Sequence, residues 1–177
     1  MPLDPDIALE TLDGRQVRLR EFAGLALLIV NVASRCGFTP QYQGLEDLQR
    51  RFAPRGFAVM GFPCDQFGRQ EPGDAAQIAE FCEKSYDVSF PMFARIEVNG
   101  GGTHPLFAAL KRAAPGLLGS QAIKWNFTKF LVRRDGEVGR RYASVVAPAS
   151  IAGDIEAALG ALGALGALGA LGALGAP

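Results

Sequence analysis

Apolar positions along the chain fall into two patterns. Leu25 to Val32, with Asn31 its one polar member, and Phe57 to Phe62 are apolar runs of strand length, as expected of strands covered on both faces. Between them Leu45, Leu48 and Phe52 recur at spacings of three and four, which predicts a helix from Pro40 and Gln41 to about Phe52, stopped by Pro54-Arg55-Gly56. Strand, helix and strand then fit one parallel crossover. Upstream, Ile7 to Thr11 and Val17 to Arg20 flank Asp13-Gly14, a hairpin signal. Downstream, Gly73-Asp74 caps a predicted helix over Ala75 to Tyr86, with Ile78, Phe81 and Cys82 on its apolar face. Phe93 to Val98 reads as a third strand and Pro105 to Ala113 as a helix. Phe127 to Arg133 and Glu137 to Tyr142 read as a hairpin about Asp135-Gly136, and Ser150 opens a last helix near Ile151 to Leu159.

Alternating strands and helices followed by an antiparallel pair predict an α/β fold, a thioredoxin-like three-layer sandwich with a mixed sheet and helices on both faces. A chain of 177 residues, 49% hydrophobic, is long enough for one core and short for two, so residues 1–159 are expected to form a single domain. From Ala158 to Gly175 the chain repeats Ala-Leu-Gly six times, which defines a low-complexity tail over 160–177. Glycine at every third position costs a helix about 1 kcal/mol each. The tail is therefore expected to be a frayed helical extension or a mobile end, and its glycines make it too weakly hydrophobic for a membrane span.

Charge narrows the function classes. Eighteen basic and eighteen acidic residues cancel, and the basic ones are scattered, so neither nucleic acid nor an anionic membrane surface is the expected partner. Met1 to Asp6 has two acids, two prolines and no apolar stretch of the signal-peptide kind, which predicts a cytoplasmic protein. Cysteines at 36, 64 and 82, with His104 the only histidine, form neither a C-x-x-C pair nor a zinc-ligand set, so no metal or other cofactor is expected. In a reducing compartment three such cysteines point to redox chemistry rather than a disulfide framework.

Cys36 is the candidate nucleophile. A buried strand delivers it to the carboxyl edge of the sheet, and the first amides of the following helix are expected to point at the sulfur and favour its thiolate, the form that attacks peroxides and disulfides. Read alone, Gln70 is a surface loop residue and Trp125 a core aromatic. Together with Asn126 they supply neutral N–H donors and no acceptor in the indole, a set suited to stabilising a thiolate and the charge on a departing oxygen. No histidine or carboxylate base is expected at the site.

The strings Asn31 to Pro40, Gly61 to Pro72, Phe81-Cys82 and Lys124 to Phe130 closely resemble the glutathione peroxidase family, collinearly from about Ile7 to Leu159. The resemblance implies a peroxidase that reduces hydrogen peroxide and organic or lipid hydroperoxides, with a tetrad of Cys36, Gln70, Trp125 and Asn126, cysteine standing where the family frequently has selenocysteine. It implies that Cys82 resolves the Cys36 sulfenic acid, as in the thioredoxin-dependent branch. A cysteine on a separate helix lies outside disulfide range, so that helix must unwind locally. Cys64 matches a recurrent family position and is read as structural. The short stretch from Thr103 to Lys124 resembles monomeric members, and thioredoxin is favoured over glutathione as reductant. Two rivals stand beside this reading: a dithiol reductase, weakened because position 39 is Thr, and a redox sensor that relays oxidation to a partner protein.

Overall fold

In the computed structural model, residues 1–160 are described. The predicted first hairpin forms, with Ala8–Glu10 (β1) antiparallel to Gln16–Arg18 (β2) in a sheet of its own. The two apolar runs become Ala26–Val32 (β3) and Phe57–Pro63 (β4), every residue buried. They pair in parallel, from Ala26 opposite Phe57 to Val32 opposite Pro63. The crossover carries α1, Gln41–Phe52, which buries Tyr42, Leu45, Leu48 and Phe52. It ends in a 3-10 turn and Gly56, whose φ of 90° is one that residues with a Cβ rarely adopt. Asp74 caps α2, Ala75–Tyr86, by accepting from Gln77 N–H while the Gln77 side chain returns to the Asp74 N–H. Pro105–Ala113 forms α3. Lys129–Val132 (β5) then pairs antiparallel with the other edge of β3, and Val138–Tyr142 (β6) folds back across a turn containing Gly136, giving the mixed order β4-β3-β5-β6.

Side-chain alternation along β3 builds two cores. Ala26, Leu28, Val30 and Val32 face a layer made with Leu45 and Phe52 of α1, Ile78 and Cys82 of α2, and Ile151 and Ile155 near the carboxyl end. Leu27 and Ile29 face the opposite layer, with Leu106, Phe107 and Leu110 of α3, Leu9 of the hairpin, and Phe93. Helices therefore cover both faces, and each fully buried Leu or Ile contributes about 1.5–3 kcal/mol to holding them there.

The third predicted strand is not one. Residues 93–98 make isolated bridges only, because their amides divide between neighbours: Phe93 bonds to Gly61 O and Ile96 to Pro63 O, while Ala94 turns to Glu10 O. No single partner runs alongside long enough to make a ladder. The last helix starts earlier than predicted, with a 3-10 turn at Pro148–Ile151 leading into residues 152–160, since Pro148 suits the first helical turn. The first Ala-Leu-Gly copy lies in that helix, with Ala158 and Leu159 buried. The expectations for the rest of the tail, residues 161–177, lie outside the described residues.

Candidate active site

Cys36 lies in the turn that joins β3 to α1. Thr39 locks this turn: its hydroxyl donates to Ala33 O at 2.8 Å and accepts from Cys36 N–H at 2.8 Å. The position where a dithiol reductase has its second cysteine thus holds a hydroxyl with a structural task. The Phe38 N–H donates to Cys36 Sγ at 3.3 Å. This corrects the expectation that the amides of α1 face the sulfur. Helix α1 begins at Gln41, and the donor belongs to the turn before it. Cys36 is buried, 7% exposed, and belongs to the α1/α2 core layer.

The structure brings Gln70 and Asn126, 56 positions apart in the chain, into contact. Asn126 Nδ2 donates to Gln70 Oε1 at 2.9 Å, so one amide of the expected donor set is used to orient the other, and the Gln70 amide N–H group is left as donor. Gln70 is held to the Cys36 turn through its backbone, its carbonyl accepting from Arg35 N–H at 2.9 Å. Trp125 is 38% exposed, with its ring 5.8 Å from that of Phe67. It borders an open groove of about 650 Å³ that is also lined by Phe38, Leu117, Arg141 and Val145.

Residues without chemistry in a sequence pattern fix this geometry. Asn31, fully buried near the end of β3, donates from Nδ2 to Trp125 O at 3.2 Å and accepts Phe127 N–H on its backbone carbonyl at 2.7 Å. Lys129 Nζ donates to Phe127 O at 2.7 Å and to Ser144 O at 3.5 Å. Burial lowers this lysine to about 7. Between these anchors Phe127 takes a left-handed φ of 61°, and on the other side of the site Arg69 takes 51° just before Gln70. Such conformations cost side-chain-bearing residues about 1–2 kcal/mol, and both flank the residues they aim. In sequence, the one signal for Asn31 and Lys129 is a polar residue inside an apolar strand.

The three thiols divide between the two cores. Cys82, on α2, shares the Cys36 layer, whereas Cys64, just after β4, belongs to the opposite layer. Burial pushes Cys82 up to about 11 and raises Cys64 as well. The Tyr42 hydroxyl adjoins the Cys82 sulfur but makes no hydrogen bond of normal geometry. His104, as expected, starts a helix: its Nδ1 accepts Leu106 N–H at the beginning of α3.

A carboxylate is present: Glu71 is fully buried beside Gln70, and Ser34 donates its hydroxyl to Glu71 Oε1. Desolvation raises this carboxyl, against the pull of Ser34 and of Arg95. Its sequence neighbours Gln70 and Pro72 read as loop, and nothing in the pattern says that the chain turns Glu71 inward. Among the described residues no group of three or more His, Cys, Asp or Glu could hold a metal ion, and no helix is long and apolar enough to cross a membrane.

Comparison with known proteins gives a consistent result. The profile of a family described as Glutathione peroxidase matches residues 6–111. A hydroperoxy fatty acid reductase of Synechocystis sp. is 58% identical over 150 residues, which are 82% of this chain and 89% of that protein. The glutathione peroxidase-like peroxiredoxin HYR1 of Saccharomyces cerevisiae is 49% identical over 143 residues, 81% of this chain and 88% of the other. Among solved structures, T. cruzi GPX1 superposes with a TM-score of 0.72 at 36% identity, covering 86% of this chain and 94% of that one. A thioredoxin-family thiol:disulfide interchange protein from Chlorobium tepidum, at 18% identity, shares the fold with a TM-score of 0.66 over 90% of this chain and 98% of its own.

Proposed function

The chain belongs to the glutathione peroxidase family and is a thiol peroxidase of thioredoxin-like fold, and from that premise we propose that Cys36 is the peroxidatic cysteine and that Gln70, Trp125 and Asn126 complete its site. The observation that carries the reading is the convergence on one turn of Cys36, whose Sγ accepts the Phe38 amide, and Gln70, whose side chain is set by Asn126. The Cys36 thiolate attacks the nearer peroxide oxygen. The O–O bond breaks, the sulfur becomes a sulfenic acid, and the distal oxygen leaves as hydroxide or alkoxide that takes up the proton lost when Cys36 ionised and departs as water or alcohol. Neutral donors at the site stabilise the negative charge on sulfur before the step and on oxygen during it.

Cys82 then resolves the sulfenic acid as a Cys36–Cys82 disulfide, after local unwinding of α2, and thioredoxin or glutathione returns it to dithiol. Membership of the Cys36 core layer supports Cys82 over Cys64 in this role. The open groove beside Trp125 and the relative named for hydroperoxy fatty acids support organic and lipid hydroperoxides as substrates along with hydrogen peroxide. The working form is a cytoplasmic monomer. The test is peroxide consumption by the reduced protein with thioredoxin and its reductase. Cys36→Ser is expected to abolish it with the circular dichroism spectrum retained; substantial residual turnover by that variant would remove Cys36 as the nucleophile.

A further inference from the structure

We infer that Glu71 is the proton acceptor of the resolution step: it takes the thiol proton of Cys82 and returns it to the hydroxide that leaves Cys36. The inference rests on the reading of Cys82 as the resolving cysteine and adds what that reading lacks. A thiol buried in an apolar layer is a poor nucleophile, and Cys82 needs a base.

Glu71 has the position for it. Ser34, two residues before Cys36, holds Glu71 Oε1, and the Arg35 N–H to Gln70 O bond ties the same dipeptide to the same turn. On its other side this segment lies against α2: Ser34, Arg35, Pro72 and Gly73 line one cleft with Gln77, Ile78 and Phe81 of that helix, Phe81 precedes Cys82 and packs on Tyr42, and Tyr42 and Cys82 share the Cys36 core layer. Glu71 Oε2 is buried with no hydrogen-bond partner among the described residues, and so is Tyr42 Oη, which adjoins the Cys82 sulfur. A buried carboxyl oxygen normally has a partner, and one without is expensive unless it has a further use. Receiving the Cys82 proton is such a use.

The groups facing Glu71 are Ser34, Asp65, Arg95, Tyr42 and Cys82. Desolvation and Asp65 raise the carboxyl, and Ser34 and Arg95 lower it. The net rise makes this carboxylate a stronger base than a solvated one. The step balances without an added reagent. Glu71 takes the proton from Cys82, and the thiolate attacks the Cys36 sulfur. The S–S bond forms as the S–O bond breaks, and the leaving hydroxide recovers the proton and departs as water. Oxidation comes from the peroxide of the preceding step. A thiolate in the apolar layer is disfavoured, so deprotonation and the opening of α2 promote each other. Gln70, held by Asn126, and Glu71, held by Ser34, adjacent in sequence, thereby serve the two successive steps.

The experiment follows the reduced full chain after one equivalent of hydrogen peroxide, with sulfenic acid and disulfide counted separately by mass spectrometry after rapid quenching, between pH 5 and pH 8. In the wild type, disulfide formation slows toward the acid end. Glu71→Gln is expected to slow disulfide formation at least ten-fold relative to sulfenic acid formation and to lose that acid limb. Glu71→Asp keeps a carboxyl and is expected to be faster than Glu71→Gln and to keep the limb. A structural role alone would give the reverse order, since Gln has the shape of Glu and Asp does not. Disulfide formation by Glu71→Gln at the wild-type rate and pH profile, or at a rate above that of Glu71→Asp, overturns the inference while leaving Cys82 in its role. A Cys82→Ser protein that closes a disulfide as fast as the wild type overturns the resolving assignment itself and the inference with it.

Discussion

In the proposed site Asn126 is a positioning residue that does not itself meet the substrate. Its Nδ2 is committed to Gln70 Oε1, so its contribution passes through the orientation of Gln70. Loss of one preorganised donor costs about 10²-fold or more in an oxyanion-type site. Gln70→Ala is expected to slow sulfenic acid formation by about that factor. Asn126→Ala is expected to have the smaller defect of the two, because Gln70 remains in place though less well aimed. Stopped-flow peroxide kinetics on the two variants checks the order; equal or reversed defects would mean that Asn126 itself donates to the reacting atoms. Lys129 acts in the same indirect way, through the left-handed Phe127 that it and Asn31 hold.

At the level of the element, α2 carries both Cys82, the proposed resolving cysteine, and the interactions that oppose its release. The Asp74 capping box fixes its first turn, and Ile78 and Cys82 anchor its buried face. Removing an N-cap carboxylate costs about 1 kcal/mol, a factor of roughly five in an opening equilibrium. Asp74→Ala is therefore expected to lower the melting temperature and, unlike most destabilising changes, to speed disulfide formation by up to about five-fold, read by the same quenched-flow count. An unchanged rate in a variant shown to be less stable would mean that unwinding of α2 does not limit resolution. The Thr39 lock on the Cys36 turn has no such freedom, since its hydroxyl bonds Ala33 and Cys36 at once.

For the whole molecule, the two-layer core decides which thiols can meet. Cys64 lies across the sheet from Cys36. Cys64→Ser is expected to turn over at close to the wild-type rate with thioredoxin, whereas Cys82→Ser is expected to stall after one equivalent of peroxide and to drift to the sulfinic acid. A stall in the Cys64 variant alone would transfer the resolving role to it. The buried Lys129 also leaves a mark on global stability. Its folded value, about 7, lies below the unfolded one, so the unfolded chain binds more protons above about pH 7 and stability rises with pH there. Cys82, raised to about 11, works in the opposite direction above its ordinary value of about 8.5, which leaves about pH 7 to 8.5 as the window for the lysine. Urea titrations at those two pH values should show Lys129→Met losing the rise that the wild type has.

What the sequence by itself determined follows from local physics. Apolar runs, three-and-four spacing and turn residues are properties of neighbouring positions, and they placed α1, α2 and α3 at their observed bounds and both hairpins at their turns. Cys36 was legible as a thiol at the end of a buried strand, and Gln70, Trp125 and Asn126 joined it through the resemblance of their motifs to a known family. Tertiary structure decided the rest, because it depends on what faces what across the chain. It divided residues 93–98 between two neighbours, so that a strand-like stretch made no strand. It turned the Asn126 amide to Gln70, put Phe38 rather than α1 on the sulfur, and set Cys64 and Cys82 in opposite layers. It also buried Asn31, Glu71 and Lys129, polar residues whose side chains become purposeful only where distant segments close over them and their hydrogen bonds must be found inside the protein.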